Sequence, residues 1–77
     1  MTVAPSKFLE KSLDKIVIVK LKSGVEIRGK LKSFDIHMNL ILDEAEELTS
    51  NSTTKKLGRI IVRGDTVVLI SPSGASA

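Results

Sequence analysis

Apolar residues recur along this chain at two spacings, and the change between them divides it into a short helix followed by strands. Phe8, Leu9 and Leu13 fall on one side at helical spacing. Pro5 stands near the start with Ser6 or Thr2 as caps, which predicts an amphipathic helix of about two turns. So short a helix is unstable alone and must dock, so it is expected to cover one open end of a sheet. From Ile16 the period becomes two. Ile16 to Lys22 is β-branched and then alternating, Ser23-Gly24 supplies turn chemistry, and Val25 to Lys32 alternates strictly, a hairpin with one wet face.

Apolar residues hold odd positions through Leu31, then even positions at Phe34 and Ile36. A slip of one implies a bulge or sharp bend near Ser33, and Gly29 removes a side chain where a sheet would curl. Leu40-Ile41-Leu42 reads as a third strand running into the acidic Asp43-Glu44-Ala45-Glu46-Glu47, itself read as a solvated strand end. Leu48 to Lys56 shows no periodicity and reads as an exposed polar loop. Two apolar strands follow, Leu57 to Val62 and Thr66 to Ile70, separated only by Arg63-Gly64-Asp65. Pro72 and Gly74 mark a frayed tail over Ser71 to Ala77. One domain is thus expected over 1–77, with flexible ends at 1–4 and 72–77. Its class is all-β: five short strands, strongly curved into a small antiparallel barrel behind a short N-terminal helix.

The last two strands carry few charges on either face, so protein should cover them or their edge. An exposed apolar edge strand invites pairing with another chain, and head-to-tail strand addition that closes on itself gives a ring. Size argues the same way. A chain of 77 residues buries only about 60% of its unfolded surface on folding. It has no cysteine, hence no disulfide framework or Cys-based zinc site, which leaves oligomerisation as the route to a larger core.

Charge adds a preference for partners. The net charge is +3; residues 1–32 carry eight basic against three acidic side chains, residues 33–48 none against five, and residues 49–77 four against one. Such polarity suits a polyanion held on one face. The N-terminus lacks the apolar core of a signal peptide, and no apolar run approaches the roughly 20 residues of a membrane span. A soluble, cytoplasmic protein without membrane contact is expected. A single histidine provides neither an acid and base pair nor a metal-ligand set, so no enzyme, metal or cofactor is expected.

Candidate chemistry sits in two polar interruptions, Asp35-Ile36-His37-Met38-Asn39 and Arg63-Gly64-Asp65. They bring an imidazole, an amide and a guanidinium to a chain with no Trp or Tyr. Unstacked RNA bases are recognised by stacking on His or Arg planes and by hydrogen bonds to their edges. An Asn amide offers one donor and one acceptor, the complement of uracil N3–H and O4 and a mismatch for cytosine. Taken singly the residues read otherwise: His37 as a surface or capping residue, Asn39 as a turn former, Arg-Gly-Asp as a hairpin turn with Gly at positive φ. Lys22, Lys30 and Lys32 are candidate phosphate contacts or simply a solvated face.

Taken together, the elements and both interruptions resemble the Sm and Sm-like family over about residues 5 to 72. Gly24, Gly29, Phe34, Asp35, Met38, Asn39 and Leu40 look like its first motif, and Ile61-Val62-Arg63-Gly64-Asp65-Thr66-Val67-Val68 like its second. The brevity and undecorated ends are most similar to the archaeal members. The resemblance implies a five-stranded, strongly bent SH3-like barrel with an N-terminal helix, assembled through strands four and five into a homo-oligomeric ring, with a heptamer favoured over a hexamer. It also implies pockets for uridine-rich single-stranded RNA around the pore, serving RNA processing, stability or chaperoning, alongside protein partners of RNA processing or decay. By position, His37 resembles the residue stacking on one face of the base, Arg63 the one on the other face, and Asn39 the reader of the edge. Gly64 lets the backbone approach, Asp35 and Asp65 support Asn39 and Arg63, and Met38 completes the set. His37 stands where many relatives carry an aromatic ring, which weakens stacking. The alternative is a structural or protein-docking ring with weak RNA contact.

Overall fold

The computed structural model describes residues 4–49 and 53–72. Helix α1 spans Pro5–Ser12, then come strands β1 Ile16–Leu21, β2 Glu26–Phe34, β3 Leu40–Leu48 and β4 Thr54–Val62. A 3-10 turn at Gly64–Thr66 leads into β5, Val67–Pro72. The expected α1 is present, but Ser6 is not its cap. The N-cap is Ala4 with no side-chain bond, Ser6 lies inside the helix, and Thr2 falls outside the described residues. Proline at the first turn has no N–H needing a partner, while the N–H groups of Lys7 and Phe8 donate to the Ala4 carbonyl.

At the other end of α1, Asp14 takes a left-handed φ of 65°. Its N–H reaches the Leu31 carbonyl at 2.7 Å, and the Leu31 N–H reaches the Lys15 carbonyl at 3.0 Å. These bonds stitch the helix to β2 and set Leu9 into the core at 1% exposure. Around it pack Val17 and Val19, Ile27 and Leu31, Leu40 and Leu42, Ala45 and Val62. Alternate positions of β1 and β2, and Leu40 and Leu42 of β3, thus face inward, as period-two patterning requires.

Two irregularities bend β2. Its register against β3 shifts between Arg28 and Lys30 and again between Leu31 and Ser33. A Cβ at Gly29 would lie 3.2 Å from the Ala45 Cα, the Asp43 carbonyl oxygen and the Leu42 Cβ; a bare backbone lets the strands close there. Ile36 does not continue the slipped phase. It lies in the β2–β3 turn at 91% exposure.

The polar stretch from Leu48 to Lys56 is narrower as a loop than expected, with strand at both of its ends and residues 50–52 outside the described residues. β3 runs to Leu48 and β4 begins at Thr54, pairing Glu47 with Lys55 and Glu46 with Lys56. Opposite charges facing each other across a ladder support pairing that apolar periodicity alone does not reveal. The acidic run accordingly forms the second half of β3, paired with β2 and β4 rather than left to solvent. Asp43 accepts from Arg59 Nε at 2.6 Å and Nη2 at 2.9 Å, and Glu46 lies 3.3 Å from Arg28 Nη2. Ser71 and Pro72 also differ from expectation: they pair with Ile18 and Val17 as the end of β5, and the rest of the expected tails, 1–3 and 73–77, lies outside the described residues.

The sheet is antiparallel throughout in the order β4-β3-β2-β1-β5. β4 and β5, consecutive in sequence, are therefore its two edges, and Arg63-Gly64-Asp65 is not a hairpin turn. Ile61 on β4 is 70% exposed, and Val68 and Leu69 on β5 are 57% and 47% exposed. No helix among the described residues is long and apolar enough to cross a membrane.

Candidate functional site

The fold brings the two polar interruptions together. His37, Met38, Asn39, Arg63, Gly64 and Asp65 line one open cavity of about 490 Å³. Asp35 stands behind it, organising the turn between β2 and β3. Asp35 Oδ1 accepts the backbone N–H groups of His37 at 2.9 Å and Asn39 at 3.0 Å, and Oδ2 accepts Asn39 Nδ2 at 3.0 Å. The Met38 N–H donates to the Asp35 carbonyl at 3.0 Å, and Met38 takes a left-handed φ of 65°. A side chain seldom adopts that conformation unless its surroundings impose it.

The second turn is held against the first by Asn39. Its Oδ1 accepts the Gly64 N–H at 2.7 Å, across 25 positions of sequence. Gly64 does not have the positive φ of a hairpin glycine; it is needed for space. A Cβ there would collide with the His37 carbonyl oxygen and lie 2.8 Å from the Met38 carbonyl carbon. Thr66, which sequence reading did not single out, closes the turn. Its N–H and Oγ1 both donate to the Arg63 carbonyl, at 3.0 and 2.6 Å. The signal for it was a hydroxyl residue placed to fold back on the turn backbone.

Arg63 Nη2 lies 3.2 Å from Asp65 Oδ2, with both side chains well exposed, so the pair orients the guanidinium more than it stabilises the fold. The His37 imidazole makes no hydrogen bond among the described residues. Of the candidate phosphate contacts, Lys32 is engaged by Asp14 Oδ1 at 2.7 Å.

Chemically, the arrangement lines one cavity with a cation, an imidazole and an amide whose orientation is fixed. Asn39 directs Oδ1 at a donor and Nδ2 at a carboxylate; rotating the amide by half a turn would set donor against donor and oxygen against oxygen. One N–H and one lone pair remain for a ligand.

The carboxylates holding the fold share an acid response. Asp35 is held below the usual carboxylate range, first by the Asn39 side-chain N–H and then by backbone N–H groups. Asp43 is lowered by Arg59, Asp14 by Lys32, and Glu46 by Thr54 and then Arg28. A depressed folded pKa contributes stability that is present above the unfolded value and lost as pH falls through the folded one. The thermal midpoint should thus change little on their account between neutrality and about pH 5, then drop below about pH 4. A midpoint that rises on acidification to about pH 3 would contradict these pairings.

An antiparallel barrel left open at two edges, with a polar site where two turns meet, defines the class of small bent β-barrels. The LSM domain family matches residues 7–72, and the chain belongs to that family. It is 50% identical over 72 residues to an snRNP Sm-like protein of Methanosarcina barkeri, covering 94% of this chain and all of that one. Among solved structures it is similar to an Sm protein heptamer of P. aerophilum, with 41% identity, a TM-score of 0.89, and coverage of 97% of this chain and 100% of the other. It is also similar to the Sm protein of Pyrococcus abyssii solved in complex with a uridine heptamer. There the identity is 44% and the TM-score 0.86, covering 92% of this chain and all of that one.

Proposed function

We propose that this chain assembles through β4 and β5 into a heptameric ring and binds uridine-rich single-stranded RNA, one base per subunit, around the pore. The observation that carries the reading is the pinned Asn39 amide. Its free N–H and lone pair match uracil O4 and N3–H, while cytosine presents the same two positions with donor and acceptor exchanged. A freely turning amide could serve either base. Here the Asp35 carboxylate and the Gly64 N–H hold it in one orientation.

His37 stacks on one face of the base and Arg63 packs on the other, with Asp65 steadying the guanidinium. Gly64 and Met38 shape the floor. Stacking contributes about 1 to 3 kcal/mol per base, so one pocket is weak and the ring is what makes the site useful. Each further occupied pocket multiplies affinity by its effective concentration. The solved relatives support both halves of this reading, one as a heptamer and one with a uridine heptamer bound. The protein serves RNA processing, stability or chaperoning in the cytoplasm, by binding rather than turnover.

Oligouridine should bind more tightly than oligocytidine, and binding should weaken with salt as phosphates release counterions. Asn39→Ala and Arg63→Ala, in rings of unchanged mass, should each lower oligouridine affinity by about tenfold or more. Unchanged affinity in both variants would remove the base pocket from the account.

A further inference from the structure

The peptide group joining Arg63 to Gly64 is held at both ends. Its N–H donates to Asn39 Oδ1 at 2.7 Å, and its carbonyl accepts the Thr66 hydroxyl at 2.6 Å and the Thr66 N–H at 3.0 Å. A continuous chain of hydrogen bonds therefore runs from the Thr66 hydroxyl through this peptide and the Asn39 amide to the Asp35 carboxylate. Bonds in such a series polarise one another, each strengthening the next. The far end is also anchored, because the Thr66 carbonyl accepts the Lys22 N–H at 2.8 Å from the β1–β2 turn.

We infer that Thr66 is a positioning residue for base discrimination: its hydroxyl sets the plane of the Arg63–Gly64 peptide, and through it the orientation of the Asn39 amide. This rests on the proposed base pocket. Without the hydroxyl, the Thr66 N–H alone holds the carbonyl, and the peptide gains freedom to tilt. The Gly64 N–H then pins Oδ1 less firmly, so that the Asp35 carboxylate alone opposes the turn of the amide that would suit cytosine. The effect falls on selectivity as well as affinity, which separates it from a general loosening of the fold. Thr66 itself touches no ligand in this scheme.

Thr66→Val keeps the branched shape and removes the donor; Thr66→Ser restores the donor on a smaller side chain. In intact rings, Thr66→Val should lower oligouridine affinity by about three- to tenfold and narrow the preference over oligocytidine, while Thr66→Ser recovers both. Asn39→Ala measured alongside tells the two ideas apart. If Asn39→Ala loses binding and Thr66→Val binds and discriminates as the parent does, the positioning role is wrong and the pocket stands. If Asn39→Ala binds as the parent does, the pocket reading itself is wrong. Equal losses in Thr66→Val and Thr66→Ser would also overturn the inference, since the hydroxyl would not be what matters. Thr66→Ala supplies a second hydroxyl-free variant. Failure of both to assemble, with Thr66→Ser intact, would make the hydroxyl a requirement of the fold and not a positioning group.

Discussion

Gly64→Ala should damage both the fold and the site, although it adds only a methyl group. The new Cβ would occupy the place of the His37 carbonyl oxygen and lie 2.8 Å from the Met38 carbonyl carbon. Both obstacles are backbone, and the Met38 backbone already sits at φ 65°, so neither can swing aside as a side-chain end could. Overpacking of this kind costs about 1–3 kcal/mol, occasionally more. For a domain of this size that corresponds to a thermal midpoint lower by about 4–8 °C per kcal/mol. Relief requires the two turns to separate, which breaks the Gly64 N–H bond to Asn39 and releases the amide. Oligouridine affinity should therefore fall by about tenfold or more. Thermal unfolding and an oligouridine titration check this. A variant matching the parent in both would show that the turns do not approach as closely as described.

The second large effect concerns the sheet edges. Ile61 on β4 and Val68 on β5 are exposed in the single chain and lie on strands that each pair on one side only. In a closed ring, β4 of one subunit would meet β5 of the next and cover both. Placing lysine at both positions, Ile61→Lys with Val68→Lys, would leave unpaired ammonium groups in that contact. Desolvating each carries a penalty of about several kcal/mol, repeated at every interface. The core residue Val62 and the inward positions of β1 are untouched, so the chain should still fold. Its mass in solution should fall to that of a monomer, and oligouridine affinity should drop by about 10² to 10⁴ as linked pockets become separate ones. Persistence of the assembled form would place the subunit contact elsewhere.

Much of this architecture was legible in the sequence because it rests on local pattern. Pro5 with Phe8, Leu9 and Leu13 marks the helix, and the shift from odd to even apolar positions marks the bulge that the structure has between Leu31 and Ser33. Strand pairing by charge was harder to see. Glu46 and Glu47 face Lys56 and Lys55, but such complementarity becomes a signal only once register is known. The helix start was legible in Pro5, whereas Ser6 lies inside the helix and the N-cap is Ala4, whose side chain makes no bond.

At the candidate site the residue types were readable and their linkage was not. Nothing local to Asn39 says that its oxygen meets Gly64, since topology creates that contact by sending β4 and β5 to opposite edges. The role of Gly64 was legible as a need for close approach, though the backbone that approaches it is the protein's own β2–β3 turn. For Thr66 the sequence offers only a hydroxyl residue beside the turn, and which carbonyl it bonds depends on the folded turn.

Native mass spectrometry of the chain with and without oligouridine bears on ring and pocket at once, because one spectrum reports subunit number and bound RNA together. The expected spectrum shows a species of seven subunits that takes up a single oligouridine strand and takes up oligocytidine far less well. A monomer at working concentration, or a ring indifferent to which oligonucleotide is offered, would contradict it.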